Sequence, residues 1–160
     1  MKKIQFSAEY LCYADEKDLP DQDKMLLNEA KEAVNSSYSP YSKFKVGAAL
    51  LLENGAVVRG SNQENAAFPV TLCAERTAVF SAAVQFPGVA IVAIAVTVET
   101  QQKNMNKPIT PCGSCRQVML EYELRFDHNI RIIMQGDFGE IYVAEAVKDI
   151  VPLYFDASFL

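Results

Sequence analysis

The spacing of hydrophobic and polar positions changes several times along this chain, and each change marks an element. Ile4, Phe6, Ala8 and Tyr10 alternate with Gln5, Ser7 and Glu9, the period-two pattern of a half-buried strand. A polar connector from Asp15 runs into Pro20 and Asp21, residues that favour a helix start. Leu26, Leu27, Ala30, Ala33 and Val34 then recur at helical spacing up to about Ser36. Pro40 ends that helix by pushing Ser39 out of the α region. The apolar run Val46 to Leu52, the Glu53-Asn54-Gly55 turn signal and Val57 to Asn62 predict a β-hairpin over residues 45–61.

Residues 63–72 carry Pro69 and read as a loop, followed by a helix from Cys73 to about Val84 with Ala74, Ala78, Val79, Ala82 and Ala83 inward. Val89 to Val96 has no polar alternation, which fits a central strand covered on both faces. Residues 99–110 read as a polar loop closed by Pro108 and Pro111. A helix is expected from Gly113 to about Arg125 with Val118, Met119 and Tyr122 inward, then strands at Ile130–Met134 and Glu140–Val143. A short helix is expected over residues 144–150. Together these predict a layered α/β arrangement with a mixed sheet, residues 1–18 forming a strand-like extension and residues 19–160 one domain.

Composition narrows the function classes. Half of the 160 residues are hydrophobic and 22% are charged, as in ordinary globular proteins. The net charge is −5, and the densest basic spots, Lys2-Lys3 and Lys43-Phe44-Lys45, are small. A nucleic-acid backbone is therefore disfavoured as a partner, and a small molecule is favoured. The N-terminus lacks the apolar core of a signal peptide. The longest apolar run, Val89 to Val98, is about half the roughly 20 residues that a membrane-spanning helix needs. A cytoplasmic location is expected, where the four cysteines would be reduced, metal-bound or catalytic rather than paired. Cys12 stands apart and is expected to pack as a small hydrophobe.

The other three cysteines lie in two tracts, each at the start of a predicted helix: Cys73-Ala74-Glu75-Arg76 and Pro111-Cys112-Gly113-Ser114-Cys115-Arg116-Gln117. Thiolates are ligands that zinc favours, and amides at a helix start lower their pKa. Three strong ligands leave the fourth zinc position to water, as in a catalytic site. A redox Cys-x-x-Cys pair and half of a structural zinc site remain open on spacing alone. His128, the single histidine, reads as a surface residue. Zinc with three thiolates carries −1, which two helix N-termini of roughly +0.5 each and the neighbouring Arg76 and Arg116 would offset. Both arginines are placed for hydrogen bonds to sulfur. Glu75 is equally readable as a proton-transfer group beside zinc or as a first-turn glutamate favoured by the helix dipole.

The two tracts together resemble those of the small, homotetrameric, three-cysteine cytidine deaminases; Cys73 excludes the His-x-Glu variant of related deaminases. The resemblance runs from about Tyr38 to Phe155. Ser39 to Gly47 is similar to the segment whose Phe lines the nucleoside site, here Phe44. Gly60 to Ala66 is similar to the segment whose Asn and Glu hold the ribose, here Asn62 and Glu64.

The resemblance implies a three-layer α/β/α fold with a mixed sheet of roughly five strands. It implies one zinc ion per subunit on Cys73, Cys112 and Cys115, with Glu75 as proton shuttle and the backbone at Ala74 and Cys112 facing the exocyclic amine. The implied reaction is hydrolytic deamination of cytidine and 2′-deoxycytidine, a step of pyrimidine salvage. It further implies a homotetramer whose sites are completed across subunits, with Phe155, or failing it Tyr154, capping the base. Blasticidin S-type deaminases lack the full ribose segment; an editing deaminase would need a basic groove. A non-catalytic zinc protein would have no use for Glu75. The sequence departs from the pattern at Phe68, where Tyr is common, in the long loop 99–110, and in the N-terminal extension, which is expected to cover a sheet edge.

Overall fold

The computed structural model describes residues 1–100 and 105–160. A six-stranded sheet forms from β1 (Leu11–Tyr13), β2 (Phe44–Leu52), β3 (Val57–Ser61), β4 (Ile91–Thr100), β5 (Arg131–Gln135) and β6 (Ile141–Ala144), in the order β1-β6-β5-β4-β2-β3. Among the described residues, β4 and β5 run parallel and the other strand pairs are antiparallel. Among the described residues three α-helices cover the sheet: α1 (Asp21–Val34), α2 (Ala74–Gln85) and α3 (Gly113–Phe126).

Strand alternation divides the core into two. Ala49 and Leu51 of β2, with Ala93 and Ala95 of β4, pack under Leu26, Leu27 and Ala30 of α1. Their neighbours Ala48 and Leu50, with Ile94 and Val96, pack under Ala78 and Val79 of α2 and Met119 and Leu120 of α3. This is the expected three-layer α/β/α arrangement, and β4 owes its continuous apolar run to cover on both faces. α1 fits so closely that a Cβ on Gly47 would lie 2.1 Å from the Ala30 carbonyl oxygen. At the hairpin tip Gly55 takes the positive φ of 84° that its turn requires.

Several expectations need correction. The sheet has six strands because the extension contributes β1, which covers the β6 edge. That strand is Leu11–Tyr13, whereas Ile4, Phe6 and Tyr10 are exposed. The pairing Leu11↔Val143 leaves β6 exhausted one residue later, at Ala144, so the earlier alternation has nothing to pair with. Cys12 is exposed on this edge strand rather than packed. β4 runs to Thr100, two residues into the expected loop, where Thr100 pairs with Phe44. Of the expected loop 99–110, residues 101–104 lie outside the described residues. The short helix expected over 144–150 is a 3-10 turn at Val147–Ile150.

Candidate metal centre and active site

Cys73 caps the N-terminus of α2 and Cys112 that of α3, both with extended backbone, and neither side chain caps its own helix. Cys115 follows in the first turn of α3, fully buried. The sulfurs of Cys73 and Cys112 are 3.8 Å apart and those of Cys112 and Cys115 are 3.5 Å apart. All three lie within 4.8 Å of one another. A tetrahedral zinc with Zn–S bonds of roughly 2.3 Å separates its sulfurs by about 3.8 Å. The three cysteines therefore fit one zinc ion.

The electrostatics favour a thiolate at Cys73. A hydrogen bond from Cys115, with the Arg76 guanidinium and Cys112 beside it, lowers the Cys73 pKa to about 5. Cys115, donating to Cys73 and buried, is pushed up. The proton it holds is the one a metal would displace. Arg76 donates to the Cys73 sulfur at 3.8 Å and to the Thr71 carbonyl at 3.2 Å, as its position three residues along the helix allows. Arg116 does not donate to sulfur as expected. It donates to the carbonyls of Pro111 (2.7 Å) and Ile150 (2.9 Å) and to the Thr110 hydroxyl (3.3 Å).

Glu75, the second residue of α2, is 5% exposed. Burial pushes its carboxyl above the usual range against the pull of its own amide, and the Cys73 charge adds to the rise. Its side chain lines a cleft of about 350 Å³ together with Cys73 and Cys112. Phe44, Asn62 and Glu64 line the same cleft, so residues distant in sequence converge on one cavity. Asn62 is held rigidly: its Oδ1 accepts from the Val46 amide (2.8 Å) and the Ser37 hydroxyl (2.6 Å), and its Nδ2 donates to the Phe44 carbonyl (2.9 Å). An amide N–H can only donate and a carbonyl only accept, which fixes the side chain's orientation and leaves one N–H of Nδ2 unused by these bonds. Glu64 Oε2 accepts from the amides of Tyr41 (2.9 Å) and Ser42 (3.3 Å). Burial acts to raise the Glu64 pKa, but the Ser42 hydroxyl and these amides together outweigh it and lower the carboxyl.

Residues 20–126 match the family model described as the cytidine and deoxycytidylate deaminase zinc-binding region. The chain belongs to this family. Both cysteine tracts lie inside the matched span, whereas residues 1–19 and the C-terminal strands lie outside it. A cytidine deaminase of Halalkalibacterium halodurans is 46% identical over 123 residues, covering 76% of this chain and 88% of that protein. One of Mycobacterium tuberculosis is 42% identical over 123 residues, covering 74% and 88%. The crystal structure of cytidine deaminase from Burkholderia pseudomallei superposes with a TM-score of 0.72 at 40% identity, covering 86% of this chain and all of that one.

Other expected site residues fall outside the cleft of a single chain. Phe155 is 58% exposed, stacked on Phe159 at 5.5 Å, with its carbonyl held by Gln117 Nε2 at 2.9 Å. Tyr154 packs against the core instead. Ala74 is the buried first residue of α2, in the turn whose N–H groups have no intrahelical acceptor. His128 is exposed and is not part of the cysteine cluster.

The sequence reading missed Thr71, Leu72, Ile109 and Thr110, which also line the cleft. Their one available signal was adjacency to the cysteine tracts. It also missed Gly60, on β3 beneath α2. A Cβ there would lie 2.5 Å from both the Ala74 carbonyl oxygen and the Ala78 amide nitrogen, so a larger residue must lift the helix that carries Cys73 and Glu75. Gly60→Ala is expected to cost about 1–3 kcal/mol of stability. A thermal melt should show it, with weaker zinc retention; an unchanged melt and zinc content would refute the contact.

Proposed function

We propose that this protein is a zinc-dependent hydrolase that deaminates cytidine and 2′-deoxycytidine to uridine and 2′-deoxyuridine with release of ammonia. The observation that carries the reading is the convergence of the three-sulfur centre, buried Glu75 and the Asn62–Glu64 pair on one cleft. Cys73, Cys112 and Cys115 would hold the metal. When bound, zinc supplies a Lewis acid that acidifies water in its open position.

The chain's own groups do the rest. Glu75 takes a proton from the attacking water through its carboxylate and passes it to ring N3 as the C4–O bond forms. It then delivers the water's second proton to the amino nitrogen as the C4–N bond breaks. A carboxyl raised by burial suits both directions of that transfer. The backbone at Ala74 and Cys112 faces the exocyclic nitrogen. Phe44 packs on the nucleoside, and the spare N–H of Asn62 and the carboxylate of Glu64 grip ribose hydroxyls as donor and acceptor.

A nucleoside is favoured over a nucleotide because, among the described residues, no Lys or Arg lines the cleft, while two carboxylates do. Zinc-loaded protein incubated with cytidine, deoxycytidine, CMP and cytosine should lose the cytosine absorbance band with the two nucleosides. Turnover of CMP alone would overturn the reading.

In the same reading, residues 19–160 are the catalytic unit, the enzyme is cytoplasmic, and Phe155 caps the base in a neighbouring subunit of a homotetramer. Among the described residues no helix is long and apolar enough to cross a membrane. All four cysteines are unpaired, as a reducing compartment keeps them. An interface is supported by α2, which is apolar on its outer side as well: Phe80 is 43% exposed and Val84 82%. A single-chain mass of 17.7 kDa by light scattering would refute assembly.

A further inference from the structure

The loop leading into α3 crosses the carboxyl end of β5 before it reaches the cleft. We propose that Gly136, just past β5, is a positioning residue that sets where the Ile109–Thr110 wall of the nucleoside cleft stands. The inference rests on reading that cleft as the nucleoside site.

The loop sits backbone to backbone on the β5–β6 turn. A Cβ on Gly136 would lie 2.2 Å from the Met105 carbonyl oxygen and 2.7 Å from that of Lys107. The Met105 oxygen also accepts from the Asp137 amide at 2.8 Å, so loop and turn are tied as well as touching. The Gly136 carbonyl is held from below by the buried Thr97 hydroxyl at 2.8 Å. Two and three residues beyond Lys107 lie Ile109 and Thr110 in the cleft lining. The link between them is Pro108, buried and with φ fixed by its ring, so a displacement at Lys107 is carried forward rather than absorbed.

Gly136 is needed for space and not for its backbone angle. Gly139, in the same turn, has a φ of 90°, whereas Gly136 is not among the positive-φ glycines. An alanine at 136 meets no left-handed backbone there, so its effect comes from the space it takes from the loop. A Cβ at 2.2 Å from backbone oxygen requires the loop to give way. The shift is on the order of 1 Å, a misplacement that is costly where it disturbs substrate positioning.

The test uses full-length, zinc-loaded Gly136→Ala and Thr97→Val with cytidine, reading KM, kcat, zinc content and melting temperature. Moving a binding wall removes ground-state and transition-state binding alike, so KM should rise by roughly five- to tenfold in Gly136→Ala with kcat within about threefold. Thr97→Val, which leaves the turn carbonyl unheld, should shift KM the same way by a smaller factor and stands as the test if Gly136→Ala does not fold. Both should retain the zinc content of the unaltered protein. An unaltered KM, or a fall in kcat that follows lost zinc or stability with KM unchanged, would overturn the proposal. Absence of cytidine turnover by the unaltered protein would overturn the cleft reading and this inference with it. An altered seat with normal KM on an active background overturns the inference alone.

Discussion

Replacing Glu75 with Gln should lower kcat by roughly three to four orders of magnitude while zinc stays bound. General acid–base catalysis contributes about 10²–10⁴. The upper end is expected here because, in the proposed mechanism, one carboxylate serves two transfers, to N3 and to the leaving nitrogen. The amide matches the carboxylate in shape, so the packing beneath α2 persists, but it cannot accept and return a proton. The metal centre is made of sulfur and does not include Glu75, so its affinity should change little. Stability should hold or rise slightly, because a buried carboxyl whose charged form is disfavoured is being replaced by a neutral group. Metal analysis, single-turnover absorbance and uridine binding on one preparation separate these effects. Near-normal turnover in a zinc-loaded Glu75→Gln protein would remove Glu75 from the mechanism.

Much of this site was legible because its chemistry depends on residue type at helix starts, where sequence spacing and spatial spacing agree. Cys112 and Cys115 are one turn apart on α3, and Arg76 lies one turn after Cys73, so i,i+3 geometry carries the arrangement. β4 was legible for a similar reason, since cover on both faces leaves no polar position in its middle.

Arg116 shows where adjacency fails. Its guanidinium is long enough to choose among acceptors, and it takes the Ile150 carbonyl, 34 residues away, in preference to a sulfur. Glu123 was invisible for the same kind of reason. It is 2% exposed, and its carboxylate accepts from the amides of Ile130 (2.9 Å), Val147 (2.6 Å) and Lys148 (3.2 Å), which ties α3 to the start of β5 and to the C-terminal segment. Hydrophobic periodicity assigns a charged residue to the surface, and only the tertiary arrangement of those amides reverses that. The N-terminal alternation failed in the opposite sense: the pattern was a strand's, but its would-be partner β6 is four residues long.

Cys115→Ser should abolish zinc binding and activity together. Cys115 is fully buried beneath the other two sulfurs, and no other Cys, His, Asp or Glu completes the cluster among the described residues. A serine hydroxyl stays protonated near neutral pH and is a poorer match than thiolate for a metal of zinc's softness. Losing a ligand also removes the linkage that stabilises the fold. With zinc at about 1,000 times its Kd, that linkage is worth about 4 kcal/mol. At roughly 2–4 °C per kcal/mol for a chain of this size, the melting temperature should fall by roughly 8–16 °C relative to the holoprotein. Chelation of the unaltered protein should reproduce the loss, and added zinc should reverse it there but not in Cys115→Ser. The pair of measurements also tests the redox alternative left open by the Cys-x-x-Cys spacing. A dithiol couple would lose its oxidised form in Cys115→Ser without any link to metal, and its activity would survive chelation. Full zinc content and turnover in Cys115→Ser would sink the three-thiolate centre.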